Sequence, residues 1–123
     1  MSFFPPIDIT PAQGLAFARA LHTVAAADGA HPRELALIDA MFADVGGATA
    51  PIAPEELAAA IPGADLRLLF MKLAYLVAHN EGGVTDAERA LLERYAGALG
   101  LTAADRFVLE EQVLDEMMSA LGR

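Results

Sequence analysis

Cysteine is absent from the 123 residues, which excludes disulfides, thiolate metal sites and a cysteine nucleophile. The absence agrees with a reducing compartment, and a cytoplasmic setting is the expectation. Tryptophan is also missing and aromatics make up 7% of the chain, so a core must come from aliphatic side chains and alanine, a composition suited to closely approaching helices. Serine occurs only at Ser2 and Ser119, which leaves no place for a serine triad. Basic residues are few: Lys and Arg total 8 against 17 Asp and Glu, a formal charge of -9. Such a charge repels phosphate backbones and anionic bilayers, so nucleic acid is not an expected partner. The most apolar stretch, Leu68 to Ala78, contains Lys72 and falls short of the ~20 residues needed to span a bilayer. Met1 to Pro6 lacks the order of basic then apolar residues that marks a signal peptide. Membrane insertion is therefore not expected.

What the chain does have is a phrase written twice. A shift of 53 residues sets Phe70, Lys72, Val77, Ala78, Glu81 and Gly82 over Phe17, Arg19, Val24, Ala25, Asp28 and Gly29. Beyond the glycine the shift becomes 54, and Glu88, Leu91, Leu92, Glu93 and Gly100 fall over Glu34, Leu37, Ile38, Asp39 and Gly46. The unit is a helix, an acidic turn and a second helix. We expect one all-α domain over residues 1–123, a compact bundle of about six to seven helices with an internal two-fold repeat. Repeat one covers about 10–47, repeat two about 64–101, and a closing helix about 103–121.

Local signals place the helices. Thr10, with Pro11 next and Gln13 three residues on, has the form of a capping box, and Phe17, Leu21, Val24 and Ala25 give the helix that follows a buried stripe ending at Asp28-Gly29. Pro32 opens a helix with Ile38, Met41, Phe42 and Val45 inward, closed by Gly46-Gly47. A short helix from Pro54 to Ile61 follows. The stretch from Asp65 to His79 is apolar nearly all round, as expected of a helix surrounded by others. Thr85 and Glu88 cap the next helix, with Leu91, Leu92, Tyr95 and Leu99 inward and Gly100 at its end. Thr102 and Asp105 cap the last, in which Phe107, Leu114, Met117 and Met118 are expected along one side.

Four acids are the candidate metal ligands: Asp28, Glu34, Glu81 and Glu88. Glu34 and Glu88 sit near the third position of a helix, where a carboxylate reaches back to the cap and meets the positive end of the dipole, and that alone accounts for them. Asp28 and Glu81 lie at helix C-termini, where an anion is unfavourable. Two explanations stand side by side: each turns back to accept amide hydrogens from its loop, or a cation lies between it and the incoming glutamate. Oxygen ligands of this kind suit calcium, magnesium or manganese. The ladder of alternating aspartates that defines an EF-hand is absent from both turns.

His31 lies in the first turn and His79 two residues before Glu81, positions from which either is able to complete a zinc site with a carboxylate. The plainer alternative is a solvated turn histidine and a histidine favoured by the helix C-terminus. No His-Glu-x-x-His pattern occurs, and Gly82-Gly83 lacks the lysine and hydroxyl residue of a phosphate loop. Catalysis is not expected.

The run Ala25-Ala26-Ala27-Asp28-Gly29 with Glu34, and the later Glu81-Gly82-Gly83-Val84-Thr85-Asp86-Ala87-Glu88, resemble the TerB-like tellurite-resistance family over about residues 15 to 115. The resemblance implies an all-helical fold with two related halves, a non-enzymatic role in tellurite and other stress resistance, and a metal ion held by the acidic turns. The positions it points to are Asp28, Glu34, Glu81 and Glu88. The first turn is one residue shorter and the second begins with Glu in place of Asp, so the two turns need not be equivalent.

A second reading is an interaction adaptor in which the acids are only caps. Its partner is another protein or, as a homodimer, a second copy, and its contact surface is formed by Leu114, Met117, Met118 and Leu121. The alternative for those four is that they close the core.

Overall fold

A computed structural model describes residues 9–28, 32–41, 51–79 and 84–121; the side chains of Asp28, Pro32, Arg33, Glu34, Leu37, Met41 and Leu121 lie outside that description. The described residues form an all-helical bundle without strands: α1 Pro11–Ala25, a 3-10 turn Ala26–Asp28, α2 Pro32–Met41, α3 Pro54–Ala60, α4 Ala64–His79, α5 Asp86–Ala98 and α6 Ala103–Leu121. None of these helices is long and apolar enough to cross a membrane.

The predicted starts are found. Thr10 Oγ1 accepts from Gln13 N at 3.1 Å while Gln13 Oε1 accepts from Thr10 N at 3.1 Å, so two of the free amides of α1 are satisfied reciprocally. Thr85 with Glu88 opens α5 in the same way, and Thr102 with Asp105 opens α6. The end of α5 is a Schellman motif. Gly100 at φ 77 takes the left-handed conformation, Leu101 N donates to Ala96 O and Gly100 N to Gly97 O. The expected extension of α2 through Phe42 and Val45 lies outside the described residues, as does its Gly46-Gly47 end.

α4 is the hub. It packs against α1, α2, α5 and α6, and Leu66, Phe70, Met71, Leu73, Ala74, Tyr75, Val77 and Ala78 are buried along it. Phe70 meets Phe17 edge-on at 5.6 Å and Tyr95 at 5.7 Å. This aromatic chain ties α1, α4 and α5 and is worth more than its buried area alone. Alanines Ala16, Ala18, Ala20, Ala25, Ala74, Ala78 and Ala96 fill the rest of these contacts, as the aliphatic composition requires.

Polar anchors hold the segment before α3. Tyr95 donates its hydroxyl to Ile52 O at 2.6 Å, and Ile52 N donates to Thr23 Oγ1 at 3.4 Å. Arg67 donates to Ile61 O, Ala58 O and Leu99 O at 2.8, 3.0 and 3.1 Å, so one guanidinium satisfies carbonyls left over at the ends of α3 and α5.

The facing of α6 differs from expectation. Leu109 and Val113 are buried and Met117 packs against the core, whereas Phe107 is 67% and Met118 69% exposed. The inward stripe follows 109, 113 and 117 at a four-residue spacing, and α6 packs on α4. Phe107 and Met118 lie on the other side.

Candidate functional site

The acidic turns lie where α1 hands on to α2 and α4 to α5. The 3-10 turn ending in Asp28 packs against both α1 and α5, so the first turn is brought to the helix that carries Glu88. The side chains of Asp28 and Glu34, and the whole of Glu81, are outside the described residues, and so is His31.

Glu88 is 2% exposed, and of the described charged residues it is the most deeply buried. Its Oε1 accepts from Thr85 N at 3.1 Å and from Thr85 Oγ1 at 3.2 Å, and its own amide donates to Thr85 Oγ1 at 3.1 Å. This is the capping role read from the sequence. The other oxygen, Oε2, is buried with no hydrogen-bond partner among the described residues. A cap uses one carboxylate oxygen; burying the second unpaired costs about 1 to 3 kcal/mol or more. The cap therefore accounts for half of this side chain. Among the described residues no group of three or more histidines and acids is arranged to hold a metal.

His79, the last residue of α4, makes its described side-chain contact on α6. Its Nε2 lies 2.7 Å from Glu110 Oε2 on α6. Arg89 on α5 holds the same carboxylate with both terminal nitrogens, at 3.3 and 3.1 Å. Burial pushes the Glu110 carboxyl up, but the hydrogen bonds from Arg89 and His79, with their charges, outweigh it and hold the group below the ordinary carboxylate value. Burial first, and the Glu110 charge second, raise the Tyr75 phenol above its ordinary value. Three helices thus converge on one acid. The sequence reading passed over Glu110, because nothing in the order of residues along α6 signals a partner 31 positions away.

A cavity of about 180 Å³ opens beside this cluster, lined in part by Tyr75, Arg89, Arg106 and Glu110. Arg106 Nε is buried there without a hydrogen-bond acceptor among the described residues, and its terminal nitrogen lies 3.7 Å from Glu93. The space suits a few ordered waters that satisfy it. His22, 9% exposed, approaches Asp39 at 3.6 Å and links α1 to α2.

No family model matches the chain, and neither a curated protein nor a solved structure does.

Proposed function

We propose that the chain is a non-enzymatic helical module of the TerB-like kind that takes up a divalent cation through its acidic inter-helix turns. The observation that carries the reading is the second oxygen of Glu88, a buried acceptor that its cap leaves unused. An unpaired carboxylate oxygen with 2% exposure favours a positive occupant. Asp28 ends a turn that packs on the helix bearing Glu88, and Glu34 and Glu81 are the further donors the sequence repeat supplies. Hard oxygen donors select calcium, magnesium or manganese; zinc enters if His31 joins them. The internal two-fold repeat belongs to the same reading. So do a cytoplasmic setting, fitting a chain without cysteine, and the absence of nucleic acid as a partner, fitting a charge of -9. That charge also disfavours direct capture of an oxyanion, so a role in tellurite or stress resistance is indirect.

Calorimetric titration with calcium, magnesium, manganese and zinc tests this, on the wild type, on Glu88→Gln and on Asp28→Asn with Glu81→Gln. Gln still serves as the third residue of a capping box, so Glu88→Gln leaves the helix start intact. Saturable binding to the wild type, weakened tenfold or more in both variants, is expected. Identical heats in all three proteins overturn the reading.

A second reading, the adaptor, is favoured by a separate observation: Phe107 and Met118 on α6 are about two-thirds exposed. Met117 packs against the core; Met118 keeps its place on the contact surface with Leu114 half-buried beside it, Phe107 joins them, and the side chain of Leu121 lies outside the described residues.

A further inference from the structure

Of the five large apolar side chains exposed among the described residues, three stand on α6: Phe107, Val108 and Met118. Phe107 and Met118 are eleven positions apart, three turns of helix, so they share one face along roughly 17 Å. Between them, at four-residue steps from Phe107, come Glu111 and Asp115, both exposed. The acids of α6 divide sharply by side. Glu110 is held by His79 and Arg89, Glu116 pairs with Lys72 at 2.8 Å, and Asp105 caps its own helix. Glu111 and Asp115 take part in no ion pair or hydrogen bond among the described residues. The outward face of α6 is thus apolar at both ends with unpaired negative charge in the middle.

We propose that this face docks a basic amphipathic helical segment of another protein, whose apolar side chains meet Phe107, Val108 and Met118 and whose lysines or arginines meet Glu111 and Asp115. The proposal rests on the adaptor reading and adds the chemistry of the partner. Aromatic and methionine side chains are the ones that anchor such contacts. The charge decides among occupants. A second copy related by a two-fold axis sets Glu111 and Asp115 against the same acids, and a chain of charge -9 repels an acidic partner at every approach. A cationic helix gains from both the local acids and the overall field.

The test uses three synthetic amphipathic peptides of about 15 residues, long enough as a helix to cover the face from Phe107 to Met118, with one leucine pattern and lysine, glutamine or glutamate on the polar flanks. Each is titrated into the full chain labelled with ¹⁵N, and amide shifts are followed in the wild type, in Phe107→Ala with Met118→Ala, in Glu111→Gln with Asp115→Asn, and in the charge-matched control Glu55→Gln with Asp65→Asn. All substituted side chains are exposed, so the fold is retained. The lysine peptide is expected to shift amides on the outward face of α6, to lose binding in the Phe107 and Met118 variant, to weaken roughly tenfold in the Glu111 and Asp115 variant, and to bind the control almost unchanged. If the glutamine peptide binds α6 as well as the lysine peptide does, the basic partner is wrong and the contact surface stands. If no peptide shifts α6, both fall. If α6 amides shift with protein concentration alone, a second copy occupies the face and the proposal is overturned.

Discussion

His79 Nε2 sits 2.7 Å from Glu110 Oε2, joining the last residue of α4 to the middle of α6 at the edge of the second acidic turn. With Arg89 on the same carboxylate, the contact gathers three helices on one negative charge. Because the folded Glu110 carboxyl is held below its ordinary value, the stability it contributes is complete above the unfolded value of about 4.3 and is lost as pH falls through the lower folded value. Urea titrations of the wild type and Glu110→Gln at steps between pH 7 and 3 check this. The difference in stability between the two proteins is expected to be constant at the upper end and to shrink below pH ~4.5. A difference that grows below pH ~4.5 contradicts the assignment.

Two phenylalanines make opposite predictions. Phe70 is fully buried between Phe17 and Tyr95, and Phe70→Ala is expected to cost about 3 to 5 kcal/mol. Phe107 projects into solvent, so Phe107→Ala is expected to stay within about 0.5 kcal/mol of wild type. Chemical denaturation of both variants separates them.

Glu88 offers a paired test of cap and charge. Glu88→Ala removes the reciprocal bond to Thr85 and is expected to destabilise by about 1 kcal/mol. Glu88→Gln keeps the bond and removes the buried charge; with a chelator present it is expected to be at least as stable as wild type. Adding the cation is then expected to raise the melting temperature of the wild type and not that of Glu88→Gln. Scanning calorimetry with and without chelator reads all of these.

Tyr95→Phe keeps the ring in its contact with Phe70 and deletes the hydroxyl that donates to Ile52 O. The orphaned carbonyl makes the expected cost about 1 to 3 kcal/mol, measured by urea denaturation. Burial also raises the Tyr95 phenol above its ordinary value. The wild type is therefore expected to lose stability as pH rises past about 10, and Tyr95→Phe to lose less.

The helices were legible wherever a local signal fixes them. Thr10 with Gln13 and Thr85 with Glu88 announce their boxes within four residues, and Gly100 announces the end of α5, because caps and turns are decided by neighbours in the chain. The hub role of α4 was legible from apolar residues on every side. The facing of α6 was not. Its apolar residues occur on both sides of the helix, and only packing on α4 selects Leu109, Val113 and Met117 over Phe107 and Met118. Of the candidate site, the cap of Glu88 was readable, whereas its bare second oxygen was not, since burial of one atom is a tertiary fact. Glu110 escaped for the same reason: its worth comes from residues on two other helices.

The backbone of Ile52 is fastened from both halves of the chain, its amide by Thr23 on α1 and its carbonyl by Tyr95 on α5. The segment before α3 is thus a rivet between α1 and α5. The halves are expected to melt together in a single transition, and an exchange of halves between two molecules must first break this fastening.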